Sequence, residues 1–139
     1  MRIFIVEDDR DIAELLILSL QSAGNEVLGW ASDGQDAVDL ISDLPDAPDL
    51  LLLDFDLPGQ DGAQVARSLR RQFGALAILV CSAFPHSEEK FSGVDNVFFL
   101  QKPFRISDLM ASIQAAISNN NHDGPSDSRA SNIRKGACA

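Results

Sequence analysis

Short apolar runs alternate with helix-period segments through most of this chain, and that alternation limits the fold more than any other feature. "RIFIV" (2–6), "EVLGWA" (26–31), "DLLLLDF" (49–55), "LAILVC" (76–81) and "NVFFLQ" (96–101) read as strands. Between them, "DRDIAELLILSLQSAG" carries Ile12, Leu15, Leu16 and Ser19 on one helical face, with Gly24 as a stop. Asp33-Gly34 opens a helix with Ala37, Val38 and Ile41 inward, and "GAQVARSLRRQFG" (62–74) turns Val65, Ala66 and Leu69 inward. "PHSEEKF" (85–91) admits a short helix, with Pro85 in its first turn, and "ISDLMASIQAAIS" (106–118) a longer one. Five βα units with short connections predict a parallel sheet covered by helices on both sides. The third and fourth runs are apolar without alternation, as strands buried on both faces are.

The folded part spans 1–118, one domain. The remainder, 119–139, is rich in Asn, Ser, Gly and Asp and reads as a disordered polar tail. The net charge of −10 argues against contacts to nucleic-acid phosphates and for a cation or a basic partner surface. Cys81 and Cys138 make no disulfide framework. Acid arrives at Glu7, too early for a signal peptide, and no stretch approaches the roughly 20 apolar residues of a membrane span. A cytoplasmic protein without membrane contact is expected.

Four of the apolar runs end on polar residues with chemical uses: the first at Glu7-Asp8-Asp9, the third at Asp54, the fourth at Ser82, the fifth at Lys102. In a parallel sheet all carboxyl ends lie at one edge, where ligands of open α/β sheets bind. Glu7, Asp8 and Asp54 crowded there would repel, and a hard divalent cation such as Mg2+ removes the conflict. Adding the Lys102 ammonium and the Ser82 hydroxyl gives a set suited to a phosphoryl group. Asp54 is the central nucleophile, and its product would be an aspartyl phosphate. Each residue also has a plainer reading. The Glu7-Asp8-Asp9 acids suit a helix N-terminus, where Asp9 or Asp11 would cap. Ser82 alone reads as a turn residue, Lys102 as a solvated loop lysine, and Arg67, Arg70 and Arg71 as a solvated basic face. Trp30 reads as packing on the second strand.

Taken together, "IVEDD", "DLLLLDFDLPGQDG", "VCSA" and "FLQKPF", in this order and near this spacing, resemble the receiver domain of two-component response regulators. The resemblance covers residues 1–118 and implies a flavodoxin-like sheet in the order 2-1-3-4-5. It implies that Asp54 takes a phosphoryl group from a histidine kinase or histidine phosphotransfer protein. Asp8 and Asp54 would bind Mg2+ directly, Glu7 through water, and the backbone carbonyl of Asp56 would complete the protein ligands. Lys102 would hold one phosphoryl oxygen and Ser82 another, with Phe99 swinging inward as a switch. Lys102–Pro103 would be cis. Positions 56 and 84 would influence phosphoryl lifetime, Asp56 by orienting water and Phe84 by shielding. The chain departs from the pattern between Ser82 and Lys102, which is about two residues short, so the fourth helix "SEEKFSG" is expected to be short or irregular. With no effector segment read in the tail, a stand-alone receiver acting on a downstream protein is expected. Two rivals remain: a haloacid-dehalogenase-type phosphatase using Asp54 and Asp56, and a receiver fold serving as a phosphorylation-independent interaction module.

Overall fold

The computed structural model describes residues 1–84 and 87–120. Strands β1 (Arg2–Val6), β2 (Glu26–Ala31), β3 (Leu50–Asp54), β4 (Ala77–Ser82) and β5 (Val97–Gln101) form one parallel sheet in the order β2-β1-β3-β4-β5. The helices are α1 (Arg10–Ser22), α2 (Gly34–Ser42), α3 (Gly62–Phe73) and α4 (Ile106–Asn120). Among the described residues, a 3-10 segment, Ser87–Phe91, stands where a fourth βα unit would have its helix, as the shortened spacing anticipates. The tail beyond residue 120, with His122 and Cys138, lies outside the described residues, as does His86. Among the described residues no helix is long and apolar enough to cross a membrane.

The strands sort their side chains by parity into two cores. Phe4, Val6, Leu51, Leu53, Ile78, Val80, Val97 and Phe99 face α2, α3 and the 3-10 segment, packing with Ala37, Ile41, Ala66, Leu69 and Phe91. Ile3, Ile5, Leu50, Leu52, Leu79, Phe98 and Leu100 face α1 and α4, packing with Leu16, Leu20, Leu109 and Ile113. The leucine run of β3 is buried on both faces. Burial of each such side chain stabilises the fold by about 2 kcal/mol, so this central strand is a rigid mount for whatever follows it.

Helix α1 lies differently from the expectation. Its buried residues are Ala13, Leu16 and Leu20, while Ile12 is 43% exposed and Leu15 59% exposed. Ser19 is half-buried, its hydroxyl donating to the Leu15 carbonyl at 2.8 Å. Asp9 is the N-cap, accepting from the amides of Asp11 and Ile12. Gly24 ends the helix region with φ +89°, a conformation that costs other residues.

Arg67 and Arg70 do not form a solvated face. Arg67 donates to the Lys90 carbonyl at 2.7 Å. Arg70 donates to the carbonyls of Gly74 at 2.6 Å and Asp95 at 2.8 Å. Burial lowers the Arg70 pKa, opposed by the nearby Asp95 charge. Two guanidiniums on α3 thus hold the main chain that replaces a regular helix. Arg70→Ala leaves those carbonyls without their donor. A loss of about 1–3 kcal/mol is expected, with amide exchange quickening first in residues 90–96; uniform exchange across the domain would count against the clamp.

Candidate functional site

The carboxyl ends of β1, β3, β4 and β5 meet at one edge of the sheet. Backbone bonds continue past each strand end: Glu7 N–H to the Ala31 carbonyl at 3.0 Å, Phe55 N–H to the Cys81 carbonyl at 2.9 Å, and Lys102 N–H to the Ser82 carbonyl at 2.8 Å. The residues carrying polar side chains are therefore fixed by the sheet itself. After Asp54, the segment "LPGQDG" turns through Gly59 (φ +69°) into α3. Gly62 opens that helix so close to Phe55 that a Cβ would lie 2.9 Å from its ring and 3.3 Å from its Cα. Asp61 caps the helix by accepting the Ala63 amide.

Asp54 is 5% exposed. Its Oδ1 accepts from Lys102 Nζ at 2.8 Å and from the Asp56 amide at 2.9 Å. Glu7 is buried, Asp8 exposed, and each offers a carboxylate oxygen that, with one from Asp54, falls within a set whose members lie within 4.8 Å of one another. Burial pushes the Glu7 carboxyl up to about 7, with Asp54 adding to the rise and the Asp9 amide opposing it. Burial alone would lower the Lys102 pKa. The hydrogen bond and charge of Asp54, with Glu7 and Asp56, outweigh it and raise the value. Three carboxylates, Glu7, Asp54 and Asp56, thus face one ammonium. Three convergent oxygen donors with excess negative charge fit a hard divalent cation, which prefers few protein carboxylates and keeps other positions open.

Lys102–Pro103 is cis. Ser82 is buried at the end of β4, beside the Lys102 main chain. Its Oγ accepts the Phe84 amide at 3.0 Å, so in this state the hydroxyl serves its own turn. Phe99 is buried on the α3 side, edge-on to Phe91 at 5.2 Å, and Phe91 in turn lies 5.8 Å from Phe55. Phe84 is 60% exposed. Cys81, directly across the ladder from Asp54, is a buried thiol pushed up to about 12 by burial.

Two groups at the site carry no mark in the sequence. The Trp30 indole Nε1 donates to the Glu7 carbonyl at 2.6 Å, steadying the first acid from β2. The Ala83 amide donates to Asp56 Oδ2 at 3.2 Å, and the same oxygen lies 3.5 Å from Lys102 Nζ. The Asp56 side chain is therefore part of the site, in addition to its backbone.

Comparison with known proteins agrees with this fold. The family model described as "Response regulator receiver domain" matches residues 3–114. The chain is 40% identical over 119 residues to response regulator MprA of Mycobacterium avium, covering 84% of this chain and 51% of that protein. It is 37% identical over 130 residues to response regulator MprA of Mycobacterium leprae, covering 92% and 56%. The chain thus spans about half the length of the curated relatives it matches. Among solved structures, it is similar to the signal receiver domain of a modulated diguanylate cyclase from Desulfovibrio desulfuricans, with a TM-score of 0.75 at 31% identity, covering 88% of this chain and 98% of that one. The receiver domain of the hybrid histidine kinase CckA matches with a TM-score of 0.68 at 27% identity, covering 84% and 99%. The matches lend no support to a phosphatase of the haloacid-dehalogenase type or to a phosphorylation-independent interaction module: this chain belongs to the receiver domains of response regulators.

Proposed function

We propose that this receiver domain is a cytoplasmic phosphoacceptor module. Asp54 takes the phosphoryl group from a phosphohistidine on a histidine kinase or phosphotransfer protein, and the phosphorylated form binds a downstream protein differently. An Asp54 carboxylate oxygen attacks phosphorus as the P–N bond breaks. The electron pair returns to the imidazole, which takes up a proton, and Asp54 becomes a mixed carboxylic–phosphoric anhydride. The observation that carries this reading is the buried Asp54 carboxylate held at 2.8 Å by Lys102, with Glu7 and Asp8 converging beside it.

Lys102 supplies fixed positive charge where phosphoryl oxygens gather. Ser82 donates to another of these oxygens once its hydroxyl turns from the Phe84 backbone. Phe99, at the edge of the Phe91–Phe55 cluster, transmits the change to the segment clamped by Arg67 and Arg70. Glu7, Asp8, Asp54 and the Asp56 carbonyl would hold Mg2+, which supplies charge neutralisation for the phosphoryl oxygens.

The direct test is incubation with acetyl phosphate and Mg2+, read by intact mass. One phosphoryl group per chain is expected, and none once Mg2+ is chelated; turnover without an accumulating adduct would point to a phosphatase instead. A second expectation concerns stability. Mg2+ relieves the crowding of Glu7 against Asp54, so a hundredfold excess over its Kd stabilises the fold by about 2.7 kcal/mol. Thermal unfolding with and without Mg2+ checks this, and the gain should shrink in Asp8→Asn. A melting temperature indifferent to Mg2+ would remove the metal from the reading.

A further inference from the structure

Asp56 holds two donors that converge on one oxygen immediately beside the Asp54 carboxylate. Its Oδ2 accepts from the Ala83 amide at 3.2 Å and from Lys102 Nζ at 3.5 Å. Both contacts are long for charge-assisted bonds, whereas Lys102 reaches Asp54 at 2.8 Å. Among the described residues the other Asp56 oxygen is buried and has no hydrogen-bond partner. Yet the side chain as a whole is 24% exposed, so a path to water is open. A carboxylate with one strained claim on two donors and one unsatisfied oxygen gains hydration by turning outward.

We propose that the Asp56 carboxylate is a built-in stand-in for the phosphoryl group: in the resting protein it occupies the Ala83 amide and the Lys102 ammonium, and it swings out when a phosphoryl oxygen arrives. This rests on Asp54 being the phosphoacceptor. A phosphoryl group brings a charge of about −1.5 to −2 and three strong acceptor oxygens, and it is tethered to Asp54, whose Oδ1 already shares Lys102 with Asp56. The newcomer outbids a single carboxylate for the same donors and repels it. Asp56 is thus a positioning residue with two effects. It keeps Ala83 and Lys102 aimed at the acceptor before transfer, and it sets a threshold for the phosphorylated state by competing for them.

The experiment uses the full chain and beryllofluoride with Mg2+ as the phosphoryl mimic, followed by Trp30 fluorescence and by amide spectra of labelled protein. Asp56→Asn keeps the side-chain shape without its charge, and Asp56→Ala frees both donors. Both are expected to bind beryllofluoride about fivefold more tightly than wild type, the scale of removing one partly exposed like charge. The Ala83 amide proton should move upfield in free Asp56→Ala, as it loses its acceptor, and should reach a common position in all three proteins once the mimic is bound. A merely structural ion pair predicts the reverse, because losing it would loosen Lys102. Equal or weaker binding by both variants, in proteins with native spectra, therefore overturns the inference while leaving Asp54 as acceptor. Binding that persists in Asp54→Ala, or that is absent from all the other proteins, overturns the phosphoacceptor reading and this inference with it.

Discussion

Asp54→Ala is expected to take up no phosphoryl group from acetyl phosphate under conditions that label the wild-type chain fully. Other carboxylates stand nearby, so the completeness of the loss is the informative part. Glu7 is buried and its carboxyl is pushed up to about 7, so it is only partly ionised near neutral pH, which weakens it as a nucleophile. Asp8 is exposed, without the fixed placement that Lys102 gives Asp54. Asp56 faces Lys102 only at 3.5 Å. The loss should not come from unfolding. Removing Asp54 deprives Lys102 of its closest partner but also relieves Glu7 of a neighbouring charge, and these effects on stability oppose one another. Intact mass and circular dichroism on the same sample separate the two explanations. A native-like variant that still gains a phosphoryl group would move the acceptor elsewhere.

Lys102→Ala should slow phosphoryl uptake by about a hundredfold, the usual scale for losing one preorganised electrostatic contact to a developing charge. Its stability should change in a second, more diagnostic way. Lys102 is the ammonium set against Glu7, Asp54 and Asp56. Without it, three carboxylates crowd one edge of the sheet and the metal-free protein loses about 1–3 kcal/mol. A divalent cation then has more repulsion to relieve, so the Mg2+-dependent rise in melting temperature should be larger in the variant than in the wild type. Single-turnover labelling followed by mass gives the rate, and paired melting curves give the rise. An unchanged rate would show that Lys102 serves only to neutralise the resting site.

The sheet was legible in the sequence because its strands are extreme. Leu50–Leu53 and Ala77–Val80 are apolar on both faces, and a run of that kind has few places to lie except the middle of a parallel sheet. The convergence of Asp54, Lys102 and the Glu7-Asp8 pair followed from the topology, since carboxyl ends of parallel strands share an edge. Helix α1 was misread because it is apolar almost all round. Ile12, Ala13, Leu15, Leu16, Ile17, Leu18 and Leu20 leave few polar residues to choose the face, and packing in the folded domain buries Ala13, Leu16 and Leu20. Arg67 and Arg70 were misread for another reason. Their partners are main-chain carbonyls more than twenty residues away, except Gly74, and a carbonyl has no letter in the sequence. The same holds for the Ala83 amide that meets Asp56. Side chain to side chain chemistry was readable, as was the local Asp9 cap of α1; contacts from a side chain to a distant backbone group were not.

The clamp on α3 has a consequence for how this domain tolerates change. Arg67 grips Lys90 and Ser92 by their main-chain oxygens, a feature every amino acid provides. Substitution at those two positions should therefore be nearly silent for the clamp, whereas inserting or deleting a single residue between them would shift the oxygens out of reach. Drift in identity with strict constancy of length is the pattern that related chains sharing this arginine pair should display.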